Sequence, residues 1–396
     1  MFPFKSTPLA WKNLTHDLRR LLVALSGVTF AVVLMFMERG FQNALFDSTV
    51  ALVKNFDADI VVSSRARYSL SSSSRFPTST LSLARGCPGV AAVHPVYIES
   101  HLAILRKPNH HGRPIRVVGF DVRSDLFTAP LEPVLRRYRH LLLQPRTAII
   151  DAKSKESIYG VDPSVPRPSR PLRLSLANQS LLIPGSFELG TDFANDGTLF
   201  MSEDNFSEFF SFRGYPASPL STADLGLVTC DERANVDQVR RVLQHELGSG
   251  VHVRTREEFI RAEISVWDSN TPIGAIFKVG VVMGFIVGVL ICYQVLFNDI
   301  SDHISEFATL MAMGYSPRYF VSLVVREAVY LAFLGFAPGL GISCGLFQAI
   351  SSATGLTMTL PMFEIGLVLT FTVAMCIISG LLAARKLLAA DPASLF

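Results

Sequence analysis

The sequence contains few charged residues. Only 17% of its 396 residues are Asp, Glu, Lys or Arg, whereas 49% are hydrophobic; a typical soluble domain has about 25% charged residues. This composition, with a mean hydropathy of +0.36, excludes a disordered chain. A formal net charge of only +3 argues against binding to nucleic acid. The 36 basic and 33 acidic residues are still too many for a chain that lies wholly in a membrane, so the averages combine two unlike parts.

Several catalytic and nucleotide-binding motifs are missing. There is no Gly-Lys pair, hence no P-loop for ATP, no H-E-x-x-H motif, and no Cys and His cluster with zinc spacing. The pattern Gly341-Ile342-Ser343-Cys344-Gly345 fits the nucleophile elbow of hydrolases, but that elbow needs a preceding strand and this pattern lies in an apolar run. A membrane serine hydrolase using Ser343 is therefore a disfavoured alternative. We expect a chain that is not an enzyme and that holds no cofactor or metal.

Long uncharged runs are present instead. About 20 apolar residues cross the hydrocarbon core of a bilayer. The first run is followed by Phe36-Met37-Glu38-Arg39-Gly40, which offers no small-residue cleavage site and so favours a retained anchor over a signal peptide. No ionisable residue lies at the middle of any run, which disfavours an ion-coupled transporter. We predict transmembrane helices at residues 21–40, 272–297, 319–350 and 363–384.

The basic residues that flank these runs predict the orientation of the chain. Residues 1–20 carry four Lys and Arg residues, and residues 385–396 begin with Arg385 and Lys386. Basic residues near membrane spans stay on the cytoplasmic side. We therefore expect a multi-pass protein of the cell inner (plasma) membrane with cytoplasmic N- and C-termini, and a cytoplasmic loop at 298–318.

Residues 41–271 are then outside the cytoplasm and long enough for one or two domains. Their pattern is mixed, so the predicted fold class is an α-helical membrane protein with four transmembrane helices and a large α+β extracytoplasmic domain inserted between helices 1 and 2. Helical spacing after residue 40 and a capping box at Thr255 and Glu258 indicate helical stalks at both ends of this domain. The serines from Ser69 to Ser74 predict a mobile loop. The predicted strands are 59–62, 90–93, 102–105, 115–120, 148–150, 172–176, 181–184 and 225–229, and the predicted helix is 235–247.

Two cysteines, Cys87 and Cys230, fall in this extracytoplasmic part, where disulfides are permitted. A single pair does not reveal from sequence whether it is bonded. A disulfide and two free thiols both remain open.

Glycines recur at four-residue spacing within two of the predicted membrane helices. Such small faces let helices approach closely in lipid. We therefore predict helix packing at Gly280, Gly284, Gly288, Gly335 and Gly339.

The cytoplasmic loop contains an amphipathic pattern. Ile300, Ile304, Phe307 and Met311 share one helical face. The polar face is acidic, whereas a helix that coats a membrane surface usually carries Lys and Arg there. We therefore expect this helix to dock on a protein, through the residues Asp302, Glu306, Phe307, Met311 and Gly314.

The loop segment SDHISEFATLMAMGY, Ser301 to Tyr315, resembles the corresponding loop of the MacB/FtsX-type (type VII) ABC transporter permeases. The resemblance extends to Pro8-Leu9-Ala10-Trp11, Thr271-Pro272-Ile273-Gly274 and the terminal Ala390-Asp391-Pro392-Ala393-Ser394-Leu395-Phe396. The DevC-like permease subunits of cyanobacterial tripartite exporters are the most similar branch.

This resemblance implies a homodimer that works with a cytoplasmic ABC ATPase subunit, which binds the ATP, and with a periplasmic membrane-fusion protein and an outer-membrane channel. It implies that the chain transmits motion to the extracytoplasmic domain and exports a glycolipid or other amphiphile drawn from membrane lipid. The alternative is a non-exporting FtsX-like mechanotransducer that regulates a periplasmic cell-wall hydrolase. Proteins that are recovered with the chain in a pull-down would distinguish the exporter from the mechanotransducer.

Overall fold

The structure is a computed structural model that describes residues 18–107, 111–154, 172–190, 192, 195–214, 217–302, 313, 316–354, 356 and 358–388. It divides into two compact units, one of residues 1–43, 272–350 and 358–396, and one of residues 44–271 with 351–357. The first unit is helical and the second is a mixed α/β domain. The helices are α1 (Leu18–Lys54), α2 (Ser79–Arg85), α3 (Glu132–Leu142), α4 (Glu203–Phe209), α5 (Val236–Glu246), α6 (Arg256–Ser269), α7 (Pro272–Asp302), α8 (Pro317–Thr354) and α9 (Met362–Leu388).

Four of the helices in the described part of the chain, α1, α7, α8 and α9, are long and apolar enough to cross a membrane. They include the four predicted spans and continue beyond them. α1 continues from the predicted first span to Lys54 without a break. α7 reaches Asp302, so residues 298–302 belong to this helix and not to the predicted loop; Ile300 is buried in the helical core and holds this last turn in place.

The strands of the α/β domain all lie between α1 and α7 in chain order. They are β1 (Ile60–Ser64), β2 (Phe76–Pro77), β3 (Val90–Glu99), β4 (Ile104–Arg106), β5 (Arg113–Pro114), β6 (Arg116–Phe120), β7 (Ile149–Asp151), β8 (Leu172–Leu176), β9 (Gln179–Ile183), β10 (Ser186–Phe187), β11 (Thr198–Ser202), β12 (Thr222–Ala223), β13 (Leu225–Cys230) and β14 (Val251–Thr255).

Eight of the described strands form one sheet in the order β10-β7-β11-β6-β3-β13-β1-β14. Most neighbours are antiparallel, whereas β10 with β7 and β11 with β6 are parallel. Ile60 and Val62 of β1 belong to one apolar core and Val61 to another, so both faces of the sheet are covered. This explains why β1, β6 and β11 are buried at every residue. A smaller sheet has the order β5-β4-β8-β9.

The predicted elements of the domain are mostly present. The strand at 172–176 coincides with β8, and the helix predicted at 235–247 is α5, whose cap Asn235 accepts a hydrogen bond from the Gln238 N–H at 3.2 Å. β14 was not predicted, although Val251 and Val253 are buried and alternate with more exposed residues, which is the period-two pattern of a strand. β3 is longer than predicted because it pairs with both β13 and β6.

Candidate functional site

Of the five residues expected to dock an ATPase, one lies in the described part of the chain. Asp302 is the last residue of α7. Glu306, Phe307, Met311 and Gly314 lie outside the described residues. Within the described residues, the contacts that could transmit movement lie between the membrane helices and along α6.

Helices α1 and α8 pack closely through the second glycine pair. A Cβ on Gly335 would collide with the side chain of Val28, and a Cβ on Gly339 would meet Val32. The Thr29 hydroxyl donates a hydrogen bond to the carbonyl oxygen of Gly335 at 3.1 Å. Only a missing side chain lets the two backbones approach in this way.

The first glycine row, on α7, faces α1. Gly280 lies against the carboxyl group of Glu38, and a Cβ on Gly284 would stand 3.5 Å from the side chain of Met35. A Cβ on Gly288 would contact Ala31 and the thioether of Met375 on α9. These three glycines therefore lie where α7 packs on α1, and Gly288 is also close to α9.

Helices α7 and α9 are also joined by small polar groups. The thiols of Cys292 and Cys376 are buried with their sulfur atoms 3.6 Å apart. The Ser379 hydroxyl donates to the carbonyl oxygen of Val289 at 2.8 Å. Small side chains thus allow close packing along this seam as well.

A charged clamp joins α1 to α9. Arg39 donates to both carboxylate oxygens of Glu364, from Nε at 2.8 Å and from Nη2 at 2.6 Å, which is the bidentate geometry that makes such pairs strong. Its remaining Nη1 donates to Gln42 at 2.9 Å, and the Asn43 amide donates to Glu364 at 3.2 Å. The carboxylate of Glu364 is almost fully buried, so separation of the two helices here would leave a charge without its partner.

The residues of the hydrolase-like pattern lie in the interior of α8. Ser343 is buried, and its hydroxyl donates to the carbonyl oxygen of Gly339 at 2.8 Å, one turn earlier in the same helix. No strand precedes it, because α8 is continuous from Pro317 to Thr354. The pattern therefore does not form a nucleophile elbow.

Cys87 and Cys230 are free thiols in the structure. Burial raises the pKa of Cys230 to about 11, and Asp59 and Asp231 act in the same direction. Burial also raises the pKa of Cys87. Both groups are therefore neutral at physiological pH and behave as small apolar residues.

Helix α6 leads from the α/β domain towards α7, and its start is fixed as predicted. The Thr255 hydroxyl accepts from the Glu258 N–H at 3.2 Å, and the Glu258 carboxylate accepts from the Thr255 N–H at 3.0 Å. This capping box satisfies two backbone donors that the helix leaves unpaired. Only two residues separate the end of α6 from Pro272, the first residue of α7.

Glu263, in the middle of α6, connects this helix to the serine-rich segment after β1. Its buried carboxylate accepts from the Leu70 N–H at 2.8 Å and from Trp267 Nε1 at 3.2 Å. Burial raises the pKa of Glu263, which these two hydrogen bonds and Arg67 partly oppose. The residues from Ser69 to Ser74 are therefore held in place and do not form the mobile loop that their composition predicts.

The same segment is held on its other side by a buried charge cluster, made of Arg67, Arg75, Arg213, Glu99 and Asp224. Arg67 donates to the carbonyl oxygens of Ser74 at 3.0 Å and Leu70 at 2.8 Å, and to Asp224 at 2.5 Å. Asp224 also accepts from Arg213 and from the Ile98 N–H at 2.8 Å. The charge cluster thus joins β3, the residue between β12 and β13, and two connecting segments. Sequence reasoning missed it, because no local pattern marks these residues.

Comparison with known proteins gives a family match for the C-terminal part. Residues 278–392 match the family model described as FtsX-like permease C-terminal. This range contains most of α7 and all of α8 and α9. No curated protein sequence matches the chain.

Among the solved structures that are similar to part of the chain are two extracytoplasmic domains. The periplasmic region of MacB from Actinobacillus actinomycetemcomitans is 10% identical, with a TM-score of 0.34 and coverage of 51% of this chain and 91% of that one. The extracellular domain of the noncanonic ABC-type transporter YknZ from Gram-positive bacteria is 13% identical, with a TM-score of 0.32 and coverage of 50% and 98%. The four apolar helices indicate a multi-pass membrane protein, and residues 278–392 of the chain are similar to the FtsX-like permease C-terminal family.

Proposed function

We propose that this chain is the membrane subunit of an ABC exporter. It lies in the inner membrane as a homodimer with cytoplasmic termini, and the α/β domain lies outside the cytoplasm between the first two spans. A separate cytoplasmic ATPase supplies the energy. The observation that carries the proposal is the permease match over residues 278–392, a range that includes the acidic amphipathic segment 298–318.

The mechanism is transmission of motion. Closure of the ATPase dimer on ATP moves the segment that follows Asp302. Tight seams pass this movement between helices: Gly335 and Gly339 leave no gap between α8 and α1, and Arg39 ties α1 to α9 through Glu364. The chain connects the membrane helices to the α/β domain in two places, through the unbroken α1 and through α6, which directly precedes α7.

The proposed export path runs from the α/β domain into a periplasmic membrane-fusion protein of the DevC-like type and an outer-membrane channel. The absence of charged residues in the middle of the membrane runs supports a chain that transmits motion, because an aqueous path for a polar cargo needs polar side chains. The proposed cargo is an amphiphile.

The docking step is tested by co-purification of the ATPase subunit with the variant Glu306→Lys/Phe307→Ala. We expect loss of the ATPase, since a reversed charge and a missing apolar anchor face the partner. The matched control Glu232→Lys/Leu83→Ala changes an exposed acid and an exposed apolar residue of the α/β domain and should retain it. Equal recovery of the ATPase with both variants would contradict the docking role.

The second candidate is the FtsX-like mechanotransducer, favoured by the same permease match. Cross-linking in intact cells, followed by identification of proteins joined to the α/β domain, separates the two. A fusion protein supports export, and a cell-wall hydrolase supports the mechanotransducer.

A further inference from the structure

The first residue of α6 is an arginine, which is an unfavourable residue at that position. The N-terminal end of a helix carries a partial positive charge, so acids such as Glu257 and Glu258 are favoured in the first turn and Arg256 is not. The Arg256 Nη1 donates to the carbonyl oxygen of Phe56 at 2.8 Å, two residues beyond Lys54, the last residue of α1. The C-terminal end of α1 carries the partial negative charge that attracts a guanidinium. Arg256 is therefore placed to contact α1 at a cost to its own helix.

A second hydrogen bond and a shared apolar core join the same two helices. The Arg256 N–H donates to the carbonyl oxygen of Asp59 at 2.9 Å. The side chains of Leu52, Phe56 and Phe259 are buried in one core, so α1 ends and α6 begins on the same apolar cluster. We call the two hydrogen bonds of Arg256, to Phe56 and to Asp59, the stalk joint.

The chain around the stalk joint is also fixed to the rest of the α/β domain. The Asp57 N–H donates to the carbonyl oxygen of Leu126 at 2.9 Å, and the Thr128 N–H donates to that of Asn55 at 2.9 Å. The chain therefore leaves α1 without a loose link. Hydrogen-bonded and rigid elements of this kind carry movement from one site to another.

An open cavity of about 370 Å³ lies beside the stalk joint. Its lining is mostly charged and includes Arg256, Asp59, Asp237, Glu258 and Arg261. Water can therefore occupy the space that a shorter side chain at position 256 would leave. The guanidinium contributes a contact and not core packing, so its removal should leave the domain folded.

We propose that Arg256 is a positioning residue that makes α1 and α6 move as one lever. The inference rests on the proposed function, because it concerns how movement of the membrane helices reaches the α/β domain. α1 runs unbroken into the domain, whereas α6 is separated from α7 by Asn270 and Thr271. With α1 and α6 joined at the domain end, unequal movements of α1 and α7 turn the domain. Without the stalk joint, the same movements are taken up between α1 and α6.

The test measures spin-label distances by pulsed electron paramagnetic resonance on the full chain in complex with its ATPase, with and without a non-hydrolysable ATP analogue. The stalk pair, Asp47→Cys with Ser265→Cys, reports the distance between α1 and α6. The domain pair, Leu83→Cys with Ile342→Cys, reports the distance between the α/β domain and α8 at two exposed positions. The parent chain for both pairs carries Cys344→Ser, since Cys344 is the exposed cysteine. Labelled chains are diluted with unlabelled ones, so that distances within one chain are measured.

In the parent chain, we expect the analogue to shift the distance of the domain pair and to leave that of the stalk pair unchanged. Arg256→Pro removes both hydrogen bonds of the stalk joint, yet proline is well suited to the first position of a helix. The preceding Thr255 already has the extended backbone angles that proline requires of its neighbour. With Arg256→Pro, the analogue should change the distance of the stalk pair, and the shift of the domain pair should fall by at least half.

Two further variants grade the effect. Arg256→Ala removes only the guanidinium and should cause a smaller loss of the domain shift. Arg256→Lys keeps a charged donor and should restore the distances of the parent. The matched control Arg261→Ala removes an exposed arginine that lines the same cavity, and it should leave both distances unchanged.

ATPase recovery and melting temperature are measured on the same variants. A variant of Arg256 that melts at a lower temperature but keeps the distances of the parent would show a merely structural role and overturn the inference. A stalk pair whose distance changes with the analogue in the parent would also overturn this inference alone. A parent complex that contains the ATPase but shows no shift of the domain pair would overturn the proposed transmission of motion, and this inference with it.

Discussion

Asp224 is expected to be the residue of the α/β domain whose truncation is most costly. Its carboxylate, fully buried, accepts from Arg67 at 2.5 Å, from Arg213, and from the Ile98 N–H at 2.8 Å. Asp224→Ala leaves all three donors without this acceptor. The nearest remaining carboxylate to Arg213 is that of Glu99, at 3.9 Å.

The magnitude follows from the burial of the pair. Removal of one partner of a buried ion pair costs about 3–5 kcal/mol, because the other charge stays desolvated. For a domain of this size, a change of 1 kcal/mol shifts the melting temperature by about 2–4 °C. We therefore expect Asp224→Ala to lower the melting temperature of the α/β domain by about 6–20 °C, measured on the full chain in detergent by intrinsic fluorescence.

Asp125 is the matched control. It also pairs with two guanidinium groups, Arg136 at 3.2 Å and Arg139 at 3.0 Å, but its side chain is 55% exposed. Exposed pairs contribute about 0–1 kcal/mol, so Asp125→Ala should change the melting temperature by no more than about 4 °C. If the two variants were equally stable, burial would not be the source of the effect and the reasoning would be wrong.

Three further outcomes are expected. Gly335→Leu should destabilise the helical unit or abolish its assembly. Gly341→Leu should be tolerated, because an added Cβ there meets no described atom within 4 Å. Size-exclusion profiles in detergent distinguish the two outcomes. Because burial raises the pKa of Glu263 above 4.5, its contribution to stability is present below that pH and is lost as the pH rises through the folded-state pKa; Glu263→Gln should flatten this part of a thermal pH series. A double-mutant cycle with Arg39→Ala and Glu364→Ala should give a coupling energy of about 1–3 kcal/mol in thermal unfolding, and a value near zero would show that the clamp is not formed.

Much of the fold could be predicted because its signals are local. The uncharged runs mark the membrane helices, since about 20 apolar residues leave few other structures open. Thr255 and Glu258 stand three residues apart, so their capping box is readable from the sequence. β8 was predicted at its true bounds for the same reason, because alternating apolar residues identify it.

The candidate site could be predicted only in part. The glycine rows were visible, but which helix each row contacts was not. Gly335 packs on α1, whereas a Cβ added to Gly341, on the same helix, would meet no atom of the described residues within 4 Å. Arg39 and Glu364 each lie at the edge of an apolar run, where a charge usually reaches solvent. The two residues are 325 positions apart in sequence, so their pairing depends on how α1 and α9 pack.

The sequence by itself determined that the chain crosses a membrane and carries a separate polar domain, because hydropathy and charge placement act over short stretches of chain. Only the tertiary structure decided that the serine-rich segment after β1 is held in place. Two hydrogen bonds hold it, one from Arg67 to Asp224 and one from the Leu70 N–H to Glu263. They join residues that are 157 and 193 positions apart in sequence. Composition describes a segment without its distant partners, and here Arg67 and Glu263 bind the backbone of a segment that composition predicts to be a mobile loop.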